Sequence, residues 1–152
     1  MIRIEPLVPK DIGASIGLLT EPGDGEGGYF DGLPKEAEAF RSILLSAQAD
    51  RYWAICVEDE LVGLFMLRGF DAGYSAPSFG VMIKRAFRGV GLGRLALQYA
   101  EAWCRLKKVD SLMLTVSQDN RRALALYESC GFVRDGERSL KGNLIYRKRL
   151  NG

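Results

Sequence analysis

The chain has 152 residues, 47% of them hydrophobic, enough to bury one substantial core and too few for two ordinary domains, so residues 1–152 are expected to form a single domain. Lys and Arg number 21 against 19 Asp and Glu, with both signs spread along the chain, so no basic arm or acidic tail supports nucleic-acid binding. Nowhere do about 18 apolar residues follow one another, and residues 1–5 lack the basic-then-apolar pattern of a secretory signal; a soluble, cytoplasmic protein without a membrane partner is expected.

Residues 3–7 read as an opening strand, after which Pro9, Lys10 and Asp11 lead into a short helix with Ile12, Ile16 and Leu19 on one face. Residues 21–32 break that pattern. Gly23, Gly25, Gly27, Gly28 and Gly32 sit beside Asp24, Glu26 and Asp31, the composition of a mobile acidic loop. Pro34 suits the first turn of a second helix, with Glu36 and Glu38 near its positive end and Phe40, Ile43, Leu44 and Ala47 at helical spacing. Residues 52–57 and 61–68 are β-prone runs joined by Glu58, Asp59 and Glu60, the pattern of a tight hairpin.

A loop containing Gly69, Asp71, Gly73 and Pro77 precedes a strand over residues 78–83. From Gly93 onward Leu95, Ala96, Tyr99, Ala100, Trp103 and Leu106 recur at helical spacing and end at Lys107 and Lys108, cations suited to a helix C-terminus. Residues 111–116 form another apolar strand. Asn120 can cap a helix bearing Ala123, Leu124 and Tyr127, closed by Gly131, and two strands follow, one beginning at Phe132 and one over 143–150. The order is that of an α/β (α+β) domain whose antiparallel half precedes a strand-helix-strand crossover, so the strands flanking residues 88–107 are expected to be parallel neighbours.

The chain contains no histidine, which removes the commonest general base, the Ser-His and Cys-His nucleophile arrangements and the commonest metal ligand. Cys56, Cys104 and Cys130 show no metal or redox spacing and read as free thiols, so no metal is expected. Chemistry must then come from carboxylates, hydroxyls, phenols, backbone amides or a bound cofactor.

The strand at 78–83 passes through Lys84 to Phe87 into Arg88-Gly89-Val90-Gly91-Leu92-Gly93-Arg94 and then into the strongest helix of the sequence. A helix start exposes unpaired N–H groups, and glycines let phosphate oxygens approach the backbone, so a pyrophosphate is the natural ligand. The same glycines are compatible with a mere tight turn. A Walker loop is excluded because Arg94 and Leu95, not Lys and Ser or Thr, follow Gly93, and alternate glycines at 89, 91 and 93 fit a dinucleotide fingerprint poorly.

Arg88-x-x-Gly91-x-Gly93 resembles the acyl-CoA pyrophosphate motif of the GNAT acetyltransferase superfamily, and the segment from Val116 through Asn120, Ala123, Leu126 and Tyr127 to Gly131-Phe132 resembles that family's downstream strand-helix-strand. The resemblance spans residues 2–150 and is sharpest over 79–132. It implies a mixed, mostly antiparallel sheet of about seven strands with about four helices, two strands splaying apart at a cofactor cleft. It implies that the amides of Gly89, Val90, Gly91, Leu92, Gly93 and Arg94 hold the pyrophosphate of acetyl-CoA, with Arg88 in the same motif. Val81 and Ile83 would offer main-chain hydrogen bonds to the pantetheine arm. Asn120 would cap its helix and contact the cofactor, the cap alone being an equal alternative. Tyr127 matches the position from which family members protonate the departing thiolate, the alternative being a packed core tyrosine.

No general base is legible. Thr115 stands where some relatives carry a glutamate, residues 78–83 hold no acid, and a relay through Thr115 or Ser117 or a loop carboxylate such as Asp71 or Glu21 are the remaining candidates. The implied activity is transfer of an acetyl group from acetyl-CoA to a primary amine, by direct attack, without a covalent enzyme intermediate. The acceptor is a small-molecule amine or a protein N-terminus, and the acidic loops weakly favour a cationic one. A homodimer is compatible with the resemblance. A non-catalytic acyl-CoA-binding module with the same groove is the alternative.

Overall fold

Apolar β-prone runs and the 3.6-residue periodicity between them build one layered structure, described here by a computed structural model for residues 1–21, 32–136, 138–139 and 141–150. The elements in chain order are β1 (Ile2–Pro6), α1 (Ile12–Leu19), α2 (Ala37–Ser46), β2 (Arg51–Val57), β3 (Glu60–Arg68), β4 (Ser78–Ile83), α3 (Leu92–Leu106), β5 (Ser111–Val116), α4 (Arg121–Ser129), β6 (Val133–Arg134) and β7 (Leu144–Arg149). The strands form one sheet in the order β1-β2-β3-β4-β5-β7-β6. Among the described residues only β4 and β5 run parallel, across the α3 crossover, as their flanking of residues 88–107 predicts. The mixed sheet and the four helices agree with the architecture expected from the sequence.

Both faces of the sheet are covered, which is why β2 and β3 are buried almost without interruption. On one face α3 and α4 pack over Phe65, Leu67, Phe79, Leu112 and Leu114; on the other, α1 and α2 pack over Tyr52, Ala54, Leu64, Met66 and Met82. The α3 stripe of Leu92, Ala96, Leu97, Ala100 and Cys104 is buried along its length, at the spacing of one helical face. The strand expected from Phe132 is reduced to Val133 and Arg134 at the sheet edge, paired with β7.

One charged side chain lies in this core. Glu101 on α3 is 6% exposed and accepts two 3.1 Å hydrogen bonds from Lys148 Nζ on β7, with Arg105 one helical turn away at 3.5 Å. Removing the carboxylate charge strands a partly buried ammonium, which costs about 2 kcal/mol once the partial exposure of Lys148 is discounted. Glu101→Gln should therefore lower the melting temperature by roughly 5 °C. A melting temperature unchanged in calorimetry would show the pair to be neutral for stability.

Candidate functional site

The site begins where the sheet fails. Ser78 and Met113 form the single rung between β4 and β5, supported by the Met113 N–H donating to the Pro77 carbonyl at 3.0 Å. Beyond that rung the two parallel strands diverge, and no pairing joins Val81 or Ile83 to β5. Strand backbone left without a neighbour is a template for an extended amide-bearing ligand. The Ile83 carbonyl is already engaged, because Arg88 Nε donates to it at 2.8 Å. Arg88 thus braces the turn that follows β4.

That turn delivers the chain to α3 with an open N-terminus. Gly89 has φ +80° and Gly91, the residue capping α3, has φ +98°, a left-handed conformation that L side chains adopt only under strain. A Cβ at either glycine meets nothing within 4 Å, so the space above them is empty of protein. The α3 start has no side-chain cap, in contrast to α2, where the Glu36 carboxylate accepts from Glu38 and Ala39, and α4, where Asn120 Oδ1 accepts from Ala123 N–H at 3.2 Å. The first N–H groups of α3 are therefore left for an anion, with the positive end of the helix dipole behind them. A Cβ at Gly93 would stand 3.6 Å from Leu126 Cδ2, an ordinary contact at the approach of α3 to α4, so packing does not require glycine there.

Over this helix start opens a cleft of about 320 Å³. It is lined by Val81 and Ile83 of β4, by Arg88, Gly89 and Gly91 of the turn, by Leu92, Gly93 and Arg94 of α3, and by Asn120 and Tyr127 of α4. Val90 alone among the predicted cofactor residues is not in the lining; its side chain is 72% exposed. Arg94 turns its guanidinium to the end of α4, donating to Cys130 Sγ at 3.3 Å and Ser129 Oγ at 3.1 Å. With its side chain so placed, Arg94 can meet a phosphate through its backbone N–H.

Tyr127 is 7% exposed, set edge-on to Phe79 and tilted against Phe132, and its hydroxyl makes no hydrogen bond with a described residue. Burial, and secondarily the neighbouring Cys130 thiol, push its phenol far above the ordinary tyrosine value near 10. The phenol keeps its proton throughout the neutral and mildly alkaline range. In kcat measured from pH 7 to 10, no descending limb should arise from this residue; one that is present in the wild type and vanishes in Tyr127→Phe would contradict the buried phenol seen here.

On the opposite face of the sheet lies a second cavity, of about 570 Å³, which reaches the same edge of β4: Gly80 lines it and Val81 lines the first. Its wall includes Met66, Arg68, Ser78, Gly80, Met113 and Thr115, the residues that alternation and register put on one sheet face, together with Asp50, Tyr74 and Asn143 from the loops and β7 start. Sequence reasoning missed Asp50, Arg68, Tyr74 and Asn143. The available signal was Arg68, a cation closing an otherwise apolar strand.

The loop carboxylates offered as bases are otherwise occupied. Asp71 accepts from the backbone N–H groups of Ala49, Gln48 and Asp50 at 2.7, 3.1 and 3.2 Å, and those bonds, Ala49's foremost, hold its pKa below the usual carboxylate value. Such an anion is a weak base, and Asp71 serves to fasten two loops together. Glu21 accepts from the Arg85 N–H at 2.8 Å. Asp24, Glu26 and Asp31, and with them most of the acidic loop, lie outside the described residues. Among the described residues no cluster of ligating side chains could hold a metal ion, and no helix is long and apolar enough to cross a membrane.

The model of the acetyltransferase (GNAT) family matches residues 22–132, and the chain belongs to that family. No curated protein gives a significant sequence match. Solved structures share the fold at low identity. A PaiA N-acetyltransferase from Thermoplasma acidophilum in complex with coenzyme A superposes with a TM-score of 0.81 at 16% identity, over 98% of this chain and 99% of that one. A spermidine N-acetyltransferase chimera from Vibrio cholerae and hSSAT gives 0.79 at 20% identity over 96% and 92%. A ribosomal-protein alanine N-acetyltransferase from Escherichia coli gives 0.76 at 17% identity over 100% and 96%.

Proposed function

We propose that this protein transfers an acetyl group from acetyl-CoA to a primary amine, the amine nitrogen attacking the thioester directly. The observation that carries the reading is the pair of cavities meeting at one strand edge: an anion-ready helix start and an unpaired β4 edge on one side, an acceptor-sized cavity on the other. The family membership and the coenzyme A held by the Thermoplasma neighbour support the choice of cosubstrate. Neighbours named for spermidine and for a ribosomal-protein alanine support an amine as acceptor, whether small molecule or protein N-terminus.

In this reading the turn and first-turn amides from Gly89 to Arg94 hold the pyrophosphate, and Val81 and Ile83 orient the pantetheine arm along β4. Acetyl-CoA supplies an activated acyl carbon. A carbon–nitrogen bond forms as the carbon–sulfur bond breaks, the Tyr127 hydroxyl donates its proton to the departing sulfur, the amine proton passes to solvent, and solvent returns a proton to Tyr127 before the next turnover. With Asp71 and Glu21 held by backbone amides, water near Thr115 is the simplest acceptor of the amine proton.

The same occupied carboxylates favour one rival, a module that binds acyl-CoA without turning it over. Release of free thiol from acetyl-CoA across a panel of primary amines separates the two. Amine-dependent release supports the transferase; binding of acetyl-CoA with no release for any amine supports the module.

A further inference from the structure

The acceptor-side cavity holds a cation that the transfer chemistry leaves unused. Arg68 ends β3 on the rung that runs through Arg68, Ser78 and Met113, the point from which β4 and β5 part. It is half-buried and lines the cavity. A guanidinium carries five N–H donors. One nitrogen donates to the Gly32 carbonyl, and the group also lies against the Tyr52 phenol. Both partners are neutral, and among the described residues no carboxylate forms an ion pair with Arg68. Asp50 is the one acid in the described lining, and its Oδ1 already accepts from the N–H groups of Gly69 at 3.0 Å and Asp71 at 3.1 Å. A partly desolvated guanidinium with neutral partners and spare donors favours an oxyanion.

We propose that Arg68 binds an oxyanion of the acceptor, so that the substrate is a primary amine carrying a carboxylate or phosphate close to its nitrogen. The inference rests on the reading of the protein as an amine acetyltransferase and narrows it. The two ends lie in one cavity: Gly80, where it reaches the cofactor edge, is two residues from Ser78, the rung partner of Arg68, about 7 Å along the strand. An amine held at Gly80 and an anion held by Arg68 fit one small molecule or the terminus of a short peptide. A polyamine brings only like charge to Arg68 and is disfavoured. The acidic loops read from the sequence favour a cationic acceptor instead, and Asp24, Glu26 and Asp31 lie outside the described residues, so spermidine is the competing outcome in the test.

Matched pairs test it: L-alanine against L-alaninamide for the carboxylate, ethanolamine phosphate against ethanolamine for the phosphate, with spermidine as the cationic arm. Thiol release is measured with each, and calorimetric binding of each in the presence of CoA gives the same comparison without turnover. The expected result is a preference of at least tenfold for the anionic member of one pair, expressed in KM or Kd, which Arg68→Met abolishes and Arg68→Lys partly restores. Equal binding within both pairs, or a preference that survives Arg68→Met, overturns the proposal. The comparison within wild-type protein holds even where a variant fails to fold. Loss of turnover with every amine, while anion-dependent binding persists, would instead count against the transferase reading and leave the Arg68 site standing.

Discussion

Tyr127→Phe is expected to lower kcat by about 10²-fold with acetyl-CoA affinity little changed, the usual scale for removing a positioned proton donor. The substitution keeps the ring, and with it the contacts to Phe79 and Phe132, while deleting a hydroxyl that has no hydrogen-bond partner among the described residues. Little stability should be lost, so the two roles separate: a packing tyrosine predicts near-normal turnover, a proton donor predicts the loss. Burial works in both directions here. It makes the phenol a weaker acid than an exposed tyrosine, yet it also keeps the hydroxyl protonated, so that it can donate a hydrogen bond to the sulfur as negative charge develops there. Wild-type turnover in a folded Tyr127→Phe protein would assign the proton to solvent.

Gly91→Asp is expected to weaken CoA binding at least tenfold without unfolding the protein. Aspartate tolerates the left-handed conformation at this position better than most L residues, and a negative charge at the α3 start interacts favourably with the helix dipole, so the backbone cost of about 1 kcal/mol is largely offset. Its carboxylate occupies the open space above the turn, where the pyrophosphate belongs in the proposed complex, and repels it. A β-branched residue at 91 would be a poorer probe, because strain at φ +98° displaces the turn whatever the ligand. Calorimetric titration with CoA, beside a melting curve, reads both effects. Full affinity in a folded Gly91→Asp protein would remove the anion site from the α3 N-terminus.

These two positions were legible in the sequence because each belongs to a short-range pattern. The glycines lie within one turn, and Tyr127 lies on one helix, seven residues beyond its cap. The strand and helix periodicities placed the elements for the same reason. The single rung at Ser78 and Met113 follows from how far two parallel strands stay together, a property of twist and packing with no local signature. The second cavity was harder still, since Asp50, the pair Arg68 and Tyr74, and Asn143 come from three separate parts of the chain and meet only when the sheet is assembled. Asp71 shows the reverse error: an acid in a glycine-rich loop reads as free, but its three backbone donors come from residues 48–50, more than twenty positions away.

The most direct test follows the acetyl group itself. Protein and stoichiometric acetyl-CoA labelled in the acetyl group are mixed and then challenged with a primary amine, and the label is located by mass spectrometry at each step. The expected result is label on CoA alone before the amine is added and on the amine afterwards, with none on the protein at any time. Label carried by the protein before the amine arrives, or none on any amine while acetyl-CoA remains bound, would contradict direct transfer across the cleft between β4 and β5.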